Sequence, residues 1–382
     1  MPAHDIVVLG AGPSGAAAAA ELARRGFRTT LVGRTDPRPN VGECLPPGIR
    51  PQLEKAGVWE TFLRSGHTPS VGIRAAWGSP DPSDRDFVLS PYGSGWHIDR
   101  ASFDATMRDS ALKSGADWIV CHAVRNVRQT LSGWRIDLAT DSAQCQIEGR
   151  LIIDATGRSS VFASRIGVKR RFLDRLMGVA GYYSAGENVP TLESMLLVEA
   201  VENGWWYSAP LPEGKLIAVF LTDADHVQRE AITRADRWTS CLRATLHQKQ
   251  RIEKHGGTLA AGIFSLPAES SFLEQVAGDG WLATGDAAAA FDPLSSQGIM
   301  SAISSGLDAA HTAAASLMGN RQAAASYANR IRKKYSEYLA HREIYYRMER
   351  RWPNSSFWKS RHAMPQALSA SIAAHGKVAV AL

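Results

Sequence analysis

The segment GAGPSG stands between an apolar strand and an alanine-rich helix, and no other stretch of the chain restricts its fold so tightly. Ile6–Leu9 reads as the strand, Ala16–Arg25 as the helix closed by Gly26, and Thr29–Val32 as a second strand, which together form a βαβ unit. Gly10 permits the tight turn, Gly12 lets backbone approach a pyrophosphate, and Gly15 allows close packing of helix on strand. Pro13 and Ser14 complete the turn, whose positive helix end faces the phosphates. A ribose in such a unit usually meets an acid at the end of the second strand. Here Gly33 and Arg34 stand there, so the ribose must be held differently.

At 382 residues the chain exceeds the ~250–300 at which single cores stop growing, so two domains are expected. Hydrophobic residues at 45% and charged ones at 21% leave little room for extended disorder. Ala101–Lys113 has helical periodicity, Trp118–Val120 reads as a strand, and Leu151–Ile153 is another that ends in DATGRSS. From about Lys169 to Ala268 the texture becomes strand alternation, in MGVAGYYSA, SMLLVEAV, GWWYSAPLP and LIAVFLTD. That pattern predicts a mostly antiparallel sheet able to wall a pocket with one face. Alternation sends Trp205 and Tyr207 to one face and Trp206 to the other; these rings either pack a core or wall a planar substrate. A small-residue helix from about Ile299 to Leu317 and a helical stretch from Ala323 to about Arg350 follow.

The formal net charge is only +6, but the basic residues cluster at Arg330–Lys334 and Arg347–Arg351. Such clusters are either a solvated helix face or a surface for an acidic protein; no nucleic-acid motif accompanies them, so nucleic acid is not an expected partner. Cys44, Cys121, Cys145 and Cys241 are scattered without metal or disulfide spacing, so no metal is expected, and they suit a reducing cytoplasm. There is no basic leader ahead of the first strand and no apolar run of about 18 residues, so a cytoplasmic location without a membrane partner is expected.

Two further motifs lie downstream: DATGRSS at Asp154–Ser160, and GWLATGDAAAAFDPLSSQGIM, where a strand delivers Gly285 and Asp286 into a loop before a helix that begins near Ser296–Gly298. With GAGPSG, in this order and spacing, they resemble the FAD-dependent monooxygenases of the p-hydroxybenzoate hydroxylase type and their halogenase relatives. The resemblance implies an α/β protein with a doubly wound, glutathione-reductase-like Rossmann domain for FAD, a mostly antiparallel β-sheet substrate domain and a helical C-terminal tail. The expected boundaries are 1–66, 97–168 and 269–322 for the FAD domain, 67–96 and 169–268 for the substrate domain, and 323–382 for the tail.

Cofactor contacts are implied at Gly10, Gly12, Pro13, Ser14, Gly15, Arg34, Ala123, Val124, Asp154, Thr156 and Gly157. The third motif adds Gly285, Asp286, Pro293, Gln297, Gly298 and Ile299. Asp286 is placed to accept hydrogen bonds from ribityl hydroxyls, and the helix start near Gly298 favours anionic reduced flavin by about 0.3–2 kcal/mol. GWHIDRASFD is similar to the segment whose arginine, here Arg100, approaches the flavin; a surface ion pair with Asp104 is the alternative. VGECLPP resembles the VGES-type motif of the halogenase branch, which places Gly42, Glu43 and Cys44 near the isoalloxazine; a helix-start acid is the other reading of Glu43.

Flavin halogenases also carry a lysine after that motif and a glutamate before the halide loop. Ser70 and Ser295 stand at those places here, and GWWYSAPLP replaces the family's WxWxIP, which disfavours chlorination. GWWYSAPLP, Thr222–Asp225 and ERRWPNSSFW are instead similar to maturation flavoproteins that oxygenate a tryptophan of a partner protein in tryptophylquinone biogenesis. No second glycine fingerprint exists, so NAD(P)H docks transiently or a separate flavin reductase supplies reduced FAD. The expected reaction is monooxygenation of an electron-rich aromatic through a peroxyflavin, the substrate being a small molecule or a protein-borne tryptophan. Glu43, Trp205, Tyr207, Ser296 and Gln297 stand nearest the chemistry. The alternatives are a reductase of a C=C bond of the prenyl reductase kind, a halogenase, and a non-catalytic flavoprotein.

Overall fold

Ile6, Val7, Val8 and Leu9 are at most 1% exposed, and a strand apolar on both faces is stable only inside a sheet that is covered on both sides. The computed structural model describes residues 4–35, 41–140, 144–184, 194–260 and 262–363. In it the strand His4–Leu9 pairs in parallel with Thr29–Gly33 and with Gln144–Asp154. Asp117–Val120 and Trp281–Ala283 extend the parallel order outward on the two sides. The hairpin Ala123–Thr130 and Gly133–Ala139 folds antiparallel onto Gln144–Asp154.

The alanine-rich helix is Pro13–Arg24 and begins earlier than its apolar period suggests, because Pro13 supplies the first turn without an apolar signal. Ala16–Ala20 are buried against the helix Gly298–Leu317. A Cβ at Gly306 would come within 2.2 Å of the Ser14 carbonyl oxygen, so small residues set how closely the two helices approach.

The second sheet runs in the order Thr258–Leu259, Leu176–Ser184, Leu216–Asp223, Gly204–Pro210, Met195–Val201, Gly72–Ala76, Ser83–Asp86, with Phe264–Pro267 also on Leu176–Ser184. Every pairing is antiparallel except that of Met195–Val201 with Gly72–Ala76. Trp205 and Tyr207 face one side, where they join Leu196, Val219 and Trp358; Trp206 faces the other, where it joins Phe220 and Trp238.

The reading of 169–268 as strands throughout needs a correction. Ala224–Arg229, Ala235–Arg243 and His247–His255 are helices that cover the Trp206 face. Their apolar signal is sparse: in Ala235–Arg243 only Trp238 and Leu242, one turn apart, are buried, and a flank of strands masks a pattern so short.

The C-terminal stretch forms a helix Ala323–Met348 and a short helix Ser356–His362; the rest of the expected tail, 364–382, lies outside the described residues. The long helix ties the two sheets together. Tyr327 Oη donates to the Ala283 carbonyl at 2.7 Å, while Arg342 reaches Asp174 at 2.7 Å and Asp292 at 3.3 Å.

Candidate functional site

A cavity of about 1500 Å³ opens at the ends of the parallel strands and continues to the apolar face of the second sheet. It exceeds the ~300–1,000 Å³ of an ordinary small-molecule pocket, which leaves room for a dinucleotide and a second molecule.

Its first end is built by the glycine turn. Gly10 has φ +106, and a Cβ there would lie 2.2 Å from the Ala155 carbonyl oxygen; at Gly15 one would lie 1.8 Å from the Gly10 carbonyl oxygen. A Cβ at Gly12 would meet nothing within 4 Å, because that position faces the cavity. Gly10, Gly12, Pro13 and Ser14 line the wall, and the first-turn amides of Pro13–Arg24 are left without helical partners. Gly33 cannot be an acid: its Cβ would be 2.6 Å from that of Ala11. Arg34, Ala123 and Val124 line the same region.

The middle of the cavity brings together Thr156, Gly157, Asp286, Pro293, Ser296, Gly298 and Ile299. Four of the expected site residues lie behind this surface. Gly15 packs beneath the turn. Asp154 is fully buried, and its carboxylate accepts from Thr156 N, Thr156 Oγ1 and Ala163 N, which shapes the DATGRSS turn from below. Gly285 donates to Ser305 Oγ at 3.0 Å, and Gln297 is exposed at the cap of the helix Gly298–Leu317. Arg158, which was not singled out in the sequence although it lies within DATGRSS, also lines the cavity and stands 3.6 Å from Asp286.

Where the two sheets meet, Gly42, Glu43, Cys44 and Arg100 face Tyr182, Trp205 and Tyr207. Arg100 satisfies both of its readings: it pairs with Asp104 at 3.2 Å and also donates to the Val41 carbonyl at 2.5 Å on the cavity wall. Glu43 is no helix-start acid, since it precedes the strand Cys44–Leu45. It is 2% exposed; Oε2 accepts from Gly42 N at 2.9 Å and from Tyr207 Oη at 3.3 Å, and Oε1 has no hydrogen-bond partner. Burial raises its pKa from the ordinary 4.5 to about 7, against the opposing pull of Gly42 N–H and Arg100. The same burial, with the Glu43 charge beside it, pushes the Tyr207 hydroxyl well up.

Tyr182 is a neighbour of this carboxylate that sequence reading missed. Its signal was the alternation of Tyr182 and Tyr183, of which Tyr183 turns away to accept a hydrogen bond from Trp238 Nε1. Cys44 Sγ lies 3.4 Å from His97 Nδ1, and His97 Nε2 donates to the Ser194 carbonyl. Burial lowers the pKa of His97 to about 4 and raises that of Cys44, so the pair stays neutral at pH 7.

Ser70 is buried behind the wall with Oγ 3.5 Å from the Gly72 carbonyl, and Ser295 Oγ donates to the Asp292 carbonyl. Among the described residues no lysine lines the cavity. The basic clusters are largely matched by neighbours: Arg330 pairs with Asp308, Lys333 with Glu337, Arg347 with Glu343 and Arg351 with Glu349. That pairing weakens the electrostatic case for an acidic partner.

The family model for tryptophan halogenases matches residues 67–380. The chain belongs to that family. Among curated relatives of this family member, LodB of Marinomonas mediterranea, named as an FAD-dependent oxidoreductase, is 29% identical over 367 residues, 95% of this chain and 98% of that one. Among solved structures, the flavin-dependent halogenase CmlS shares the fold with a TM-score of 0.84 at 21% identity, over 99% of this chain and 71% of that one. The peptidyl tryptophan dihydroxylase QhpG does so with a TM-score of 0.78 at 23% identity, over 95% and 79%. This family member is an FAD-dependent oxidoreductase. Its residues fit the cofactor: the open cradle at Gly12 and the helix starts at Pro13 and Gly298 border one continuous space. Among the described residues no helix is long and apolar enough to cross a membrane.

Proposed function

We propose that the enzyme is an FAD-dependent monooxygenase that inserts oxygen into an electron-rich aromatic ring. The observation that carries this reading is the continuity of one cavity from the Gly12 cradle to the wall formed by Trp205, Tyr207 and Tyr182, with the near-neutral Glu43 between them. Reduced FAD, when bound, supplies two electrons and activates oxygen. The chain's own part is positioning and proton handling. Trp205 and Tyr207 orient a planar substrate, Leu196, Val219 and Leu221 keep water out, and Glu43 Oε1 is available to take a proton from an indole N–H or phenol O–H. Gly12, the Gly298 helix start and Asp286 hold the pyrophosphate, the flavin's pyrimidine end and the ribityl chain, respectively.

A tryptophan in a partner protein is the favoured substrate. Support comes from QhpG, a peptidyl tryptophan dihydroxylase of the same fold, and from the replacement of the halogenase lysine and glutamate by Ser70 and Ser295. Electrons come from NAD(P)H directly or through a flavin reductase, and the protein acts in the cytoplasm. The test is co-expression with a protein encoded beside it, followed by mass spectrometry under 18O2. A mass gain of labelled oxygen on a tryptophan supports the reading; rapid oxygenation of free aromatics with the protein left unmodified restricts it to small molecules; and reduction of an alkene without oxygen uptake overturns it.

A further inference from the structure

Aromatic rings stand in an unbroken series from the cavity wall to the outer surface. Tyr207 and Trp205 line the cavity with ring centres 6.3 Å apart. Trp77 is 6.1 Å from Trp205, Trp358 is 5.4 Å from Trp77, and Trp352 lies nearly parallel to Trp358 at 6.1 Å. Tyr346 stands inside the bend, 6.0 Å from both Trp77 and Trp358. Trp205 and Trp358 are fully buried, whereas Trp77 and Trp352 are half-buried and reach the surface. GWWY and RWPNSSFW, two motifs set apart in the sequence, thus converge on one path.

Apolar packing accounts for the contacts between these rings but not for their polar partners. Trp205 Nε1 donates to Tyr346 Oη at 3.1 Å, and Tyr346 Oη donates to the buried carboxylate of Asp292 at 2.7 Å. At the cavity end Tyr207 Oη donates to Glu43 at 3.3 Å. A tyrosine gives up an electron readily only when a base takes its proton at the same time. Both tyrosines of the series have a carboxylate placed for that, while indoles pass an electron without losing a proton.

We propose that Tyr207, Trp205, Trp77, Trp358 and Trp352, with Tyr346 at the bend, conduct an oxidising equivalent out of the cavity, so that an oxygen-centred radical formed there without substrate is spent at the surface. The radical takes one electron from Tyr207 and one proton from the solvent in the cavity, and becomes a closed-shell hydroxyl compound. The phenolic proton of Tyr207 moves to Glu43 and returns when Trp205 refills the ring with an electron. Trp205 is refilled from Trp77, Trp77 from Trp358 and Trp358 from Trp352. At the surface a soluble thiol gives Trp352 an electron and releases a proton to water, so the sum is one radical and one thiol converted to one hydroxyl compound and one thiyl radical. The proposal rests on the flavin reading for the source of the oxidant, not for the conduction.

Pulse radiolysis of the purified full-length enzyme tests the conduction by itself. Azide radicals oxidise exposed indoles, and the tryptophanyl absorption should then decay into tyrosyl absorption in a first-order step independent of protein concentration. That step should be lost in Trp358→Phe and in Trp205→Phe, whichever folds by near-ultraviolet circular dichroism, and kept in Trp134→Phe on the first sheet. A second arm flashes the FAD-loaded enzyme without oxygen; the long-lived charge-separated state of the wild type should be lost in the same variants. If both variants keep the first-order step, the conduction is overturned. If the step is lost as expected but the protein takes up no FAD, the conduction stands and the flavin reading fails.

Discussion

Tyr207 donates its phenolic hydrogen to the Glu43 carboxylate across 3.3 Å and so joins the second sheet to the segment that follows the glycine turn. Because that carboxylate is buried, its protonation is linked to stability. The folded pKa is about 7 and the ordinary value 4.5, so the folded chain binds this proton more tightly than the unfolded one. The contribution is fully present below about pH 4.5 and is lost as pH rises through about 7. Relative to Glu43→Gln, the wild type should lose about 3 kcal/mol of unfolding free energy over that window, measured by urea titration at successive pH values. A pH-independent difference between the two proteins would show that Glu43 is ionised throughout.

Glycines of the turn separate binding from folding. Gly12→Val should leave the fold intact, since the site is open, while preventing yellow, FAD-containing protein from being isolated. Gly10→Ala has no such room and a φ of +106, so it should lower the melting temperature whether or not FAD is present. Full FAD occupancy in the valine variant would move the pyrophosphate elsewhere.

With Ser70 and Ser295 where halogenases carry lysine and glutamate, incubation with reduced FAD, oxygen, bromide and a panel of indoles should yield no brominated product by mass spectrometry. Robust bromination would reverse the choice between oxygenation and halogenation.

Arg342 is 5% exposed and answers two buried carboxylates, Asp174 and Asp292. Replacing it by methionine leaves both acids unpaired and should cost about 3–5 kcal/mol of stability by chemical denaturation. Asp292 also caps Leu294 N on the cavity wall, so FAD affinity should weaken in step.

Trp206→Ala and Trp205→Ala should part company. Trp206 packs on Phe220 and Trp238, away from the cavity, and its loss should cost about 3–5 kcal/mol with the oxygenated product unchanged. Loss of Trp205 enlarges the cavity and should change which aromatics bind, read by titration of the FAD-loaded enzyme.

The sequence by itself determined whatever depends on near neighbours. A φ of +106 at Gly10, the missing Cβ at Gly12 and the start of a helix at Pro13 are requirements of consecutive residues, so GAGPSG was legible as a phosphate cradle before any fold was known. Strict alternation likewise separated Trp205 and Tyr207 from Trp206. The three helices between Ala224 and His255 escaped because each has too few apolar positions to outweigh the strands around it. What only the tertiary structure decided are the meetings across sequence: Tyr207 with Glu43, 164 residues apart, and Trp205 with Tyr346, 141 apart. It also moved Asp154 from the cavity surface to the turn beneath it. The pKa of Glu43 belongs to the same class, because desolvation is set by the atoms packed around a group in space, and two sheets built from distant segments supply them.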